Sequence, residues 1–206
     1  KYIISGMNFA TESMSVKAWA YVHSDWKYIR SVHRIFGSSS LNKYPHFNFS
    51  HLFKWTFLKR IKSVSILNYM EYKKDEVMHI LQDDLGWVYY GGKHYESVYT
   101  RFYQGYILPV KFNIDKRRGH LSDLTKSGQI TREEALKEVD KVGYNNDLLD
   151  QDMHFVMKKL NLKQSEFDEI MKLPVKSFKD YPNNEAKVNK LKKLVNYLRF
   201  KGMYSK

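Results

Sequence analysis

The chain has 206 residues, 43% of them hydrophobic and 16% aromatic, which suits one large folded domain, or one with a small appendage, and argues against disorder. Its 35 Lys and Arg against 22 Asp and Glu leave a net charge of +13, pointing to an anionic partner or substrate: nucleic acid, an acidic membrane or a phosphorylated metabolite. With no cysteine, disulfides, thiolate metal sites and cysteine nucleophiles are excluded within these residues, and no apolar run is long enough to cross a bilayer.

The chain opens on Lys1-Tyr2-Ile3-Ile4, a strand-like run that does not read as a secretory signal. A cytoplasmic location is the default expectation, and an opening without methionine reads as a segment of a longer protein. Tyr2-Ile3-Ile4 is expected to be a buried strand and Ser5-Gly6-Met7-Asn8 the turn leaving its carboxyl end, with Glu12 opening a helix or tight loop. Ser24 or Asp25 is placed to cap a helix carrying Trp26, Ile29, Val32, His33 and Phe36, which Gly37 stops. Phe47 to Ile61 reads as an aromatic-rich helix whose interleaved Lys54, Lys59, Arg60 and Lys62 are solvated and whose aromatic stripe from Trp55 onward is core or interface; a membrane-surface role is the minor reading.

Ser63 to Tyr69 is expected to be a second buried strand, with Ile66 in one parallel sheet with Ile3. Lys74 to Leu85 follows as a helix with Val77, Ile80 and Leu81 inward and Gly86 as its stop. Another helix is expected to begin near Lys93 and to end at Pro109. Asp115-Lys116-Arg117-Arg118-Gly119-His120 opens the next one, which runs on to Gly128, and the Thr131/Glu134 pair is a capping box. Helices at about 147–160, 165–173 and 184–199 complete the chain, Ser165 being the expected cap of the second.

The densest concentration of chemistry lies between Gly91 and Arg101. Gly91-Gly92 permits backbone conformations closed to other residues, and on a helix starting near Lys93 the side chains of Lys93, Ser97 and Arg101 share a face suited to phosphate. A plain turn followed by core tyrosines is the competing reading. Lys116, Arg117, Arg118 and His120 are suited to a diphosphate, though a solvated charge run fits the same pattern. The histidines do not form a metal pattern: His46 and His51 are five apart, and His23 and His33 bracket a whole helix.

Several blocks, in one order, resemble a known family. They are Ile4-Ser5-Gly6-Met7-Asn8-Phe9-Ala10-Thr11-Glu12-Ser13, Trp19-Ala20-Tyr21, His23-Ser24-Asp25-Trp26, Gly86-Trp87, Gly92-Lys93-His94-Tyr95-Glu96-Ser97, Phe102-Tyr103-Gln104-Gly105-Tyr106 and Gly128 to Ala135. A weaker continuation runs from Phe178 to Asn184. Together they resemble the N-acetyl sugar amidotransferases of lipopolysaccharide O-antigen biosynthesis, members of the PP-loop ATP pyrophosphatases. The resemblance implies an α/β fold: the C-terminal part of an adenine-nucleotide hydrolase-like, Rossmann-like parallel sheet over residues 1–110, and a helical C-terminal region over 111–206.

The same resemblance implies an ATP- and Mg2+-dependent reaction in which the acetamido oxygen of a UDP-linked N-acetyl sugar is adenylated and ammonia displaces AMP, leaving an acetamidino group. Ammonia is expected from a glutaminase partner through a cyclase-like channel subunit. Glu12, Lys93 and Glu96 take catalytic roles on this reading, while Ser5, Gly6, Asn8, Gly91, Gly92, His94, Ser97, Arg101, Lys116 and Arg117 contact substrate or nucleotide; no metal is ligated by side chains. The Ser-Gly-Gly-x-Asp-Ser pyrophosphate loop of that superfamily is nowhere in these residues, so the chain is expected to be a C-terminal portion without ATPase activity of its own. Two other functions fit the charge: an RNA-binding portion of a tRNA-modifying relative, without any RRM, KH or zinc-ribbon signature, or a docking domain for the glutaminase. DNA binding is not expected, and homo-oligomerisation is left open.

Overall fold

A computed structural model of the chain describes residues 1–13, 16, 19, 21, 24–93 and 95–200. Helices dominate, and the described strands are two: β1 (Tyr2–Ser5) and β2 (Lys62–Ser65), paired in parallel with Ile3 opposite Ser63 and Ile4 opposite Val64. Between them in the chain lie α1 (Phe9–Glu12), α2 (Trp26–Phe36) and α3 (Phe49–Phe53), the last continued by a π-helical turn over Lys54–Leu58. After β2 come a 3-10 turn (Ile66–Tyr69), α4 (Lys74–Leu85), α5 (Val98–Phe102), a π-helical turn (Tyr103–Ile107), α6 (Leu108–Phe112), α7 (Lys116–Lys126), α8 (Arg132–Asp140), α9 (Asn146–Leu160), α10 (Gln164–Lys172) and α11 (Glu185–Phe200). The chain divides into two compact units, one of residues 1–19 and 62–175, the other of 20–61 and 176–206.

Many boundaries follow from local chemistry. Asp25, not Ser24, caps α2, accepting from the backbone N–H groups of Lys27 and Tyr28, and Gly37 ends it. Gly86 stops α4 at φ +64, in the left-handed region that glycine enters without steric cost. Thr131 and Glu134 form the expected reciprocal box.

Other expectations are corrected. The second strand ends at Ser65 rather than Tyr69, so Ile66 lies one residue beyond the sheet it was expected to share with Ile3. The reason is Asn68: in the 3-10 turn its side-chain oxygen accepts from the backbone N–H of Phe9 at 2.9 Å, so this segment serves α1 instead of the ladder. Nor is β1 buried, for Ile4 is 66% exposed, because two strands alone do not cover a sheet whose parallel type is normally enclosed on both faces. Ile80 also faces solvent, and of the stripe from Trp55 onward Phe57 and Leu58 are exposed while Trp55 and Ile61 are half-buried. Lys163, not Ser165, stands at the start of α10, its backbone N–H donating to Glu166.

Pro109 does not end its helix. Proline lacks an N–H and crowds the carbonyl four residues back, but the preceding π turn carries the Leu108 N–H to Tyr103 and lets α6 begin afresh with Pro109 in its first turn, where that donor is not required. Asn113, at φ 53, terminates it. The core of the first unit joins residues from both sides of this point: Phe102, Tyr144, Val156 and Phe167 are buried together, with Tyr106, Leu149 and Met153 packed around them. Gly105 in the π turn permits this, since a Cβ there would lie 3.2 Å from the Tyr144 ring.

In the second unit Asp25 has a further role. Besides capping α2 it accepts from the Tyr21 hydroxyl at 2.7 Å, from the Asn184 backbone N–H at 2.6 Å and from the Asn184 side chain at 2.8 Å. Burial pushes this carboxyl up, but those donors overcome it and hold its pKa below the ordinary value. Tyr21 stacks on Phe178 at 4.1 Å, and Tyr28 and Phe36 meet the edge of Tyr181. Thus two sequence blocks more than 150 residues apart, around Asp25 and Asn184, form one structure.

Candidate functional site

The most concentrated set of perturbed groups lies at the carboxyl end of β1. Asn8 leaves the strand in extended conformation and caps α1, its side-chain oxygen accepting from the Thr11 backbone N–H at 2.9 Å and from the Thr11 hydroxyl at 3.1 Å. The helix is short, and it is held by α7: Ser13 Oγ donates to Asp123 at 2.5 Å, and Ser127 Oγ donates to the Ala10 carbonyl at 3.0 Å. Asp123 is 2% exposed, a carboxylate sunk between the two helices. This packing brings Glu12 and His120 to one surface.

Lys93 reaches the same place from the glycine turn. Its Nζ lies 3.4 Å from His120 Nδ1, and because an ammonium has no acceptor, the ring nitrogen accepts. Burial pushes the His120 pKa down to about 4, with the Lys93 and Lys74 charges adding to the effect, so the imidazole is neutral at pH 7. Burial likewise lowers the Lys93 pKa; Glu12 and Asp123 oppose that shift and Lys74 adds to it. Lys74 is placed by Gln129, whose side-chain oxygen accepts from the Lys74 backbone N–H at 2.7 Å. Tyr72, its hydroxyl pKa raised by burial and then by Glu12, completes the group. Two ammonium groups, a neutral imidazole and two carboxylates therefore face one another across loops that follow both strands. Such a set holds an anionic group and moves a proton beside it.

His120 supplies a direct check. Its folded pKa lies below the unfolded value of about 6.5, so between pH 6.5 and 4 the unfolded chain binds a proton that the folded chain does not. Stability carried by the neutral ring is fully present above that window and falls as pH drops through it. NMR titration should show His120 signals unmoved from pH 8 to 5; a midpoint near 6.5 would show that the ring is not enclosed.

Of the residues singled out from sequence, Asn8, Glu12, Lys93 and His120 come together here, beside the turn that Ser5 and Gly6 open. A Cβ at Gly6 would meet nothing within 4 Å, so the backbone there faces open space. His94 lies outside the described residues. The expected helix starting near Lys93 is corrected: residues 91–97 are turns and α5 starts at Val98, because the Ser97 side chain accepts from the Thr100 backbone N–H and makes Ser97 the cap. Lys93, Ser97 and Arg101 consequently share no helical face. Gly91 sits at φ +91, and the Tyr95 ring packs against Gly92, where a Cβ would come within 3.0 Å of it. Glu96 lies on the exposed part of that turn.

Arg101 and Arg117 turn to protein instead of an open cleft. Arg101 forms a bidentate pair with Asp152, Nε to Oδ2 at 2.6 Å and a terminal nitrogen to Oδ1 at 2.8 Å, while the Tyr144 hydroxyl donates to the same carboxylate. Arg117 binds its own helix cap, Asp115, and donates to the carbonyls of Glu138, Val139 and Lys141, closing the end of α8. Lys116 lies over the Trp19 ring, 5.6 Å from its centre. Sequence reasoning missed Asp123, Tyr72 and Lys74. The only local signal was for Asp123, three residues after His120 and therefore on the same helical face.

Residues 96–196 match the family model for the C-terminal domain of WbpG-like LPS biosynthesis proteins. The match takes in α5 through most of α11, including His120 and Asp123 but neither Lys93 nor the end of β1. No curated protein and no solved structure matches the chain.

Proposed function

On the likeness of residues 96–196 to the C-terminal domain of WbpG-like LPS biosynthesis proteins, we propose that the chain is the C-terminal portion of an ATP-dependent N-acetyl sugar amidotransferase. The observation that supports this most directly is the grouping of Asn8, Glu12, Lys93, His120 and Asp123 past the carboxyl end of a strand in a parallel sheet, the position where open α/β sheets bind ligands. The residues present suit one wall of an adenylate site: ammonium groups of Lys74 and Lys93 for phosphate, and an open backbone at Gly6 for close approach. They do not include the pyrophosphate loop, which on this reading belongs, with the remaining strands of a Rossmann-like sheet, to another part of the protein.

ATP supplies the adenylyl group that makes the amide oxygen of the UDP-linked sugar a leaving group. Lys93 then stabilises negative charge that develops on phosphate oxygens, and neutral His120, holding a free acceptor capacity only while unprotonated, keeps that ammonium oriented. Glu12 orients ammonia and takes its proton. Ammonia delivery by a glutaminase through a cyclase-like subunit is part of the same proposal.

The test is incubation of the full-length protein with ATP, Mg2+, ammonia and a panel of UDP-N-acetyl sugars. Formation of AMP, pyrophosphate and a sugar nucleotide in which NH has replaced O is expected, and the 206 residues alone should release no pyrophosphate. Absence of AMP with every sugar nucleotide would overturn the proposal.

A further inference from the structure

The positive charge is not spread evenly along the chain. Residues 20–61 and 176–206 contain sixteen Lys and Arg against three acidic residues, Asp25, Asp180 and Glu185, whereas residues 1–19 and 62–175 contain nineteen of each sign. The whole net charge of +13 therefore belongs to the second unit, and the unit that carries the candidate site is neutral.

The second unit also exposes apolar side chains at helical spacing. On α3 and its π-helical continuation, Phe49, Leu52, Phe53 and Phe57 recur three to four residues apart, followed by Leu58, which is 71% exposed. Phe53 and Phe57 rest against each other at 4.9 Å, and Lys54, Lys59 and Arg60 flank them. On α11, Leu191 and Leu194 are half exposed in a helix that also carries Lys187, Lys190, Lys192 and Lys193. Water-exposed Phe and Leu on short helices rich in lysine are the composition of segments that lie in the plane of a lipid interface, apolar side chains among the acyl chains and ammonium groups at the headgroups.

We propose that the unit formed by residues 20–61 and 176–206 docks on an anionic phospholipid surface, with Phe53, Phe57 and Leu58 entering it and Lys54, Lys59 and Arg60 at the phosphates. Charge complementarity selects an anionic occupant. Between the polyanions, lipid is favoured over RNA on two grounds. Four of the exposed side chains, Leu52, Leu58, Leu191 and Leu194, present no flat face on which a base stacks. Twelve of the sixteen cations are lysines, point charges suited to a fluid headgroup layer instead of the fixed bidentate geometry that arginine offers. No described helix is long and apolar enough to cross a membrane, so the contact is peripheral. This docking would hold the site in the neutral unit near a membrane without contributing to its chemistry.

The test is co-sedimentation of the full chain with vesicles of phosphatidylglycerol and phosphatidylcholine, against phosphatidylcholine alone, at low and high salt. Binding about tenfold tighter to the anionic vesicles, weakened by salt, is expected. The pair Phe53→Ser and Leu58→Ser should lower it about fivefold or more with an unchanged circular dichroism spectrum, and Lys54→Glu with Lys59→Glu and Arg60→Glu about tenfold or more. Equal binding to both vesicle types, binding indifferent to the apolar pair, or tighter binding to single-stranded RNA at the same salt would each overturn the proposal.

Discussion

Asp152→Ala is expected to destabilise the first unit by about 3–5 kcal/mol, the cost of leaving a buried guanidinium without its counter-charge. Asp152 is only 4% exposed and takes both forks of Arg101 and the Tyr144 hydroxyl, so one substitution strands two donors beside Phe102, the most deeply buried side chain described. The urea midpoint should fall accordingly. Replacing both charges together, as in Arg101→Met with Asp152→Leu, should restore most of the loss, because the pair gains little over well-packed apolar groups once its desolvation is counted. A single-substitution loss below about 1 kcal/mol would show the pair to be solvated. Burial raises the Asp152 pKa, but hydrogen bonds from Arg101 and then Tyr144 outweigh it and hold the carboxyl below its ordinary value. Its contribution to stability is therefore present above pH about 4 and is lost as pH falls through the depressed folded value.

Lys93→Met is expected to lower AMP formation by the full-length protein about 10²- to 10³-fold, the usual consequence of removing one preorganised charge from a developing anion. Stability should hardly change, because the Lys93 side chain reaches His120 by a long 3.4 Å contact and stands outside the buried core. The substitution has a readout independent of activity. Lys93 is the leading charge that depresses His120, so its removal should move the His120 pKa upward from about 4, visible by NMR in the 206-residue chain. An unmoved His120 midpoint would separate the two groups and remove the geometric basis for the site, whereas a moved midpoint with unaltered AMP formation would keep the geometry and discard the chemistry.

The two arginines show how composition misleads. Arg101 and Arg117 stand in basic stretches that suit phosphate equally well on paper, yet one neutralises a buried carboxylate and the other closes a helix end. Asp152 lies 51 residues from Arg101, and although Asp115 is only two residues from Arg117, the carbonyls of Glu138, Val139 and Lys141 that Arg117 also binds lie 21 to 24 residues away, beyond any local pattern. Lys93 was legible as a candidate for the opposite reason: a glycine pair preceded it. What the pattern did not reveal was its direction, because the cap at Ser97 moves the helix start past it.

By itself the sequence determined what acts within a few residues. Asp25 as a cap, the box at Thr131 and Glu134 and the stops at Gly37 and Gly86 all depend on side chains and backbone groups within one turn of each other. Tertiary structure alone decided where β2 ends, since Asn68 is drawn to Phe9, and whether Pro109 breaks its helix. It also decided that His120 is neutral and that the positive charge gathers in one unit. These depend on desolvation and on charges brought together from distant parts of the chain, quantities that exist only once the segments are packed.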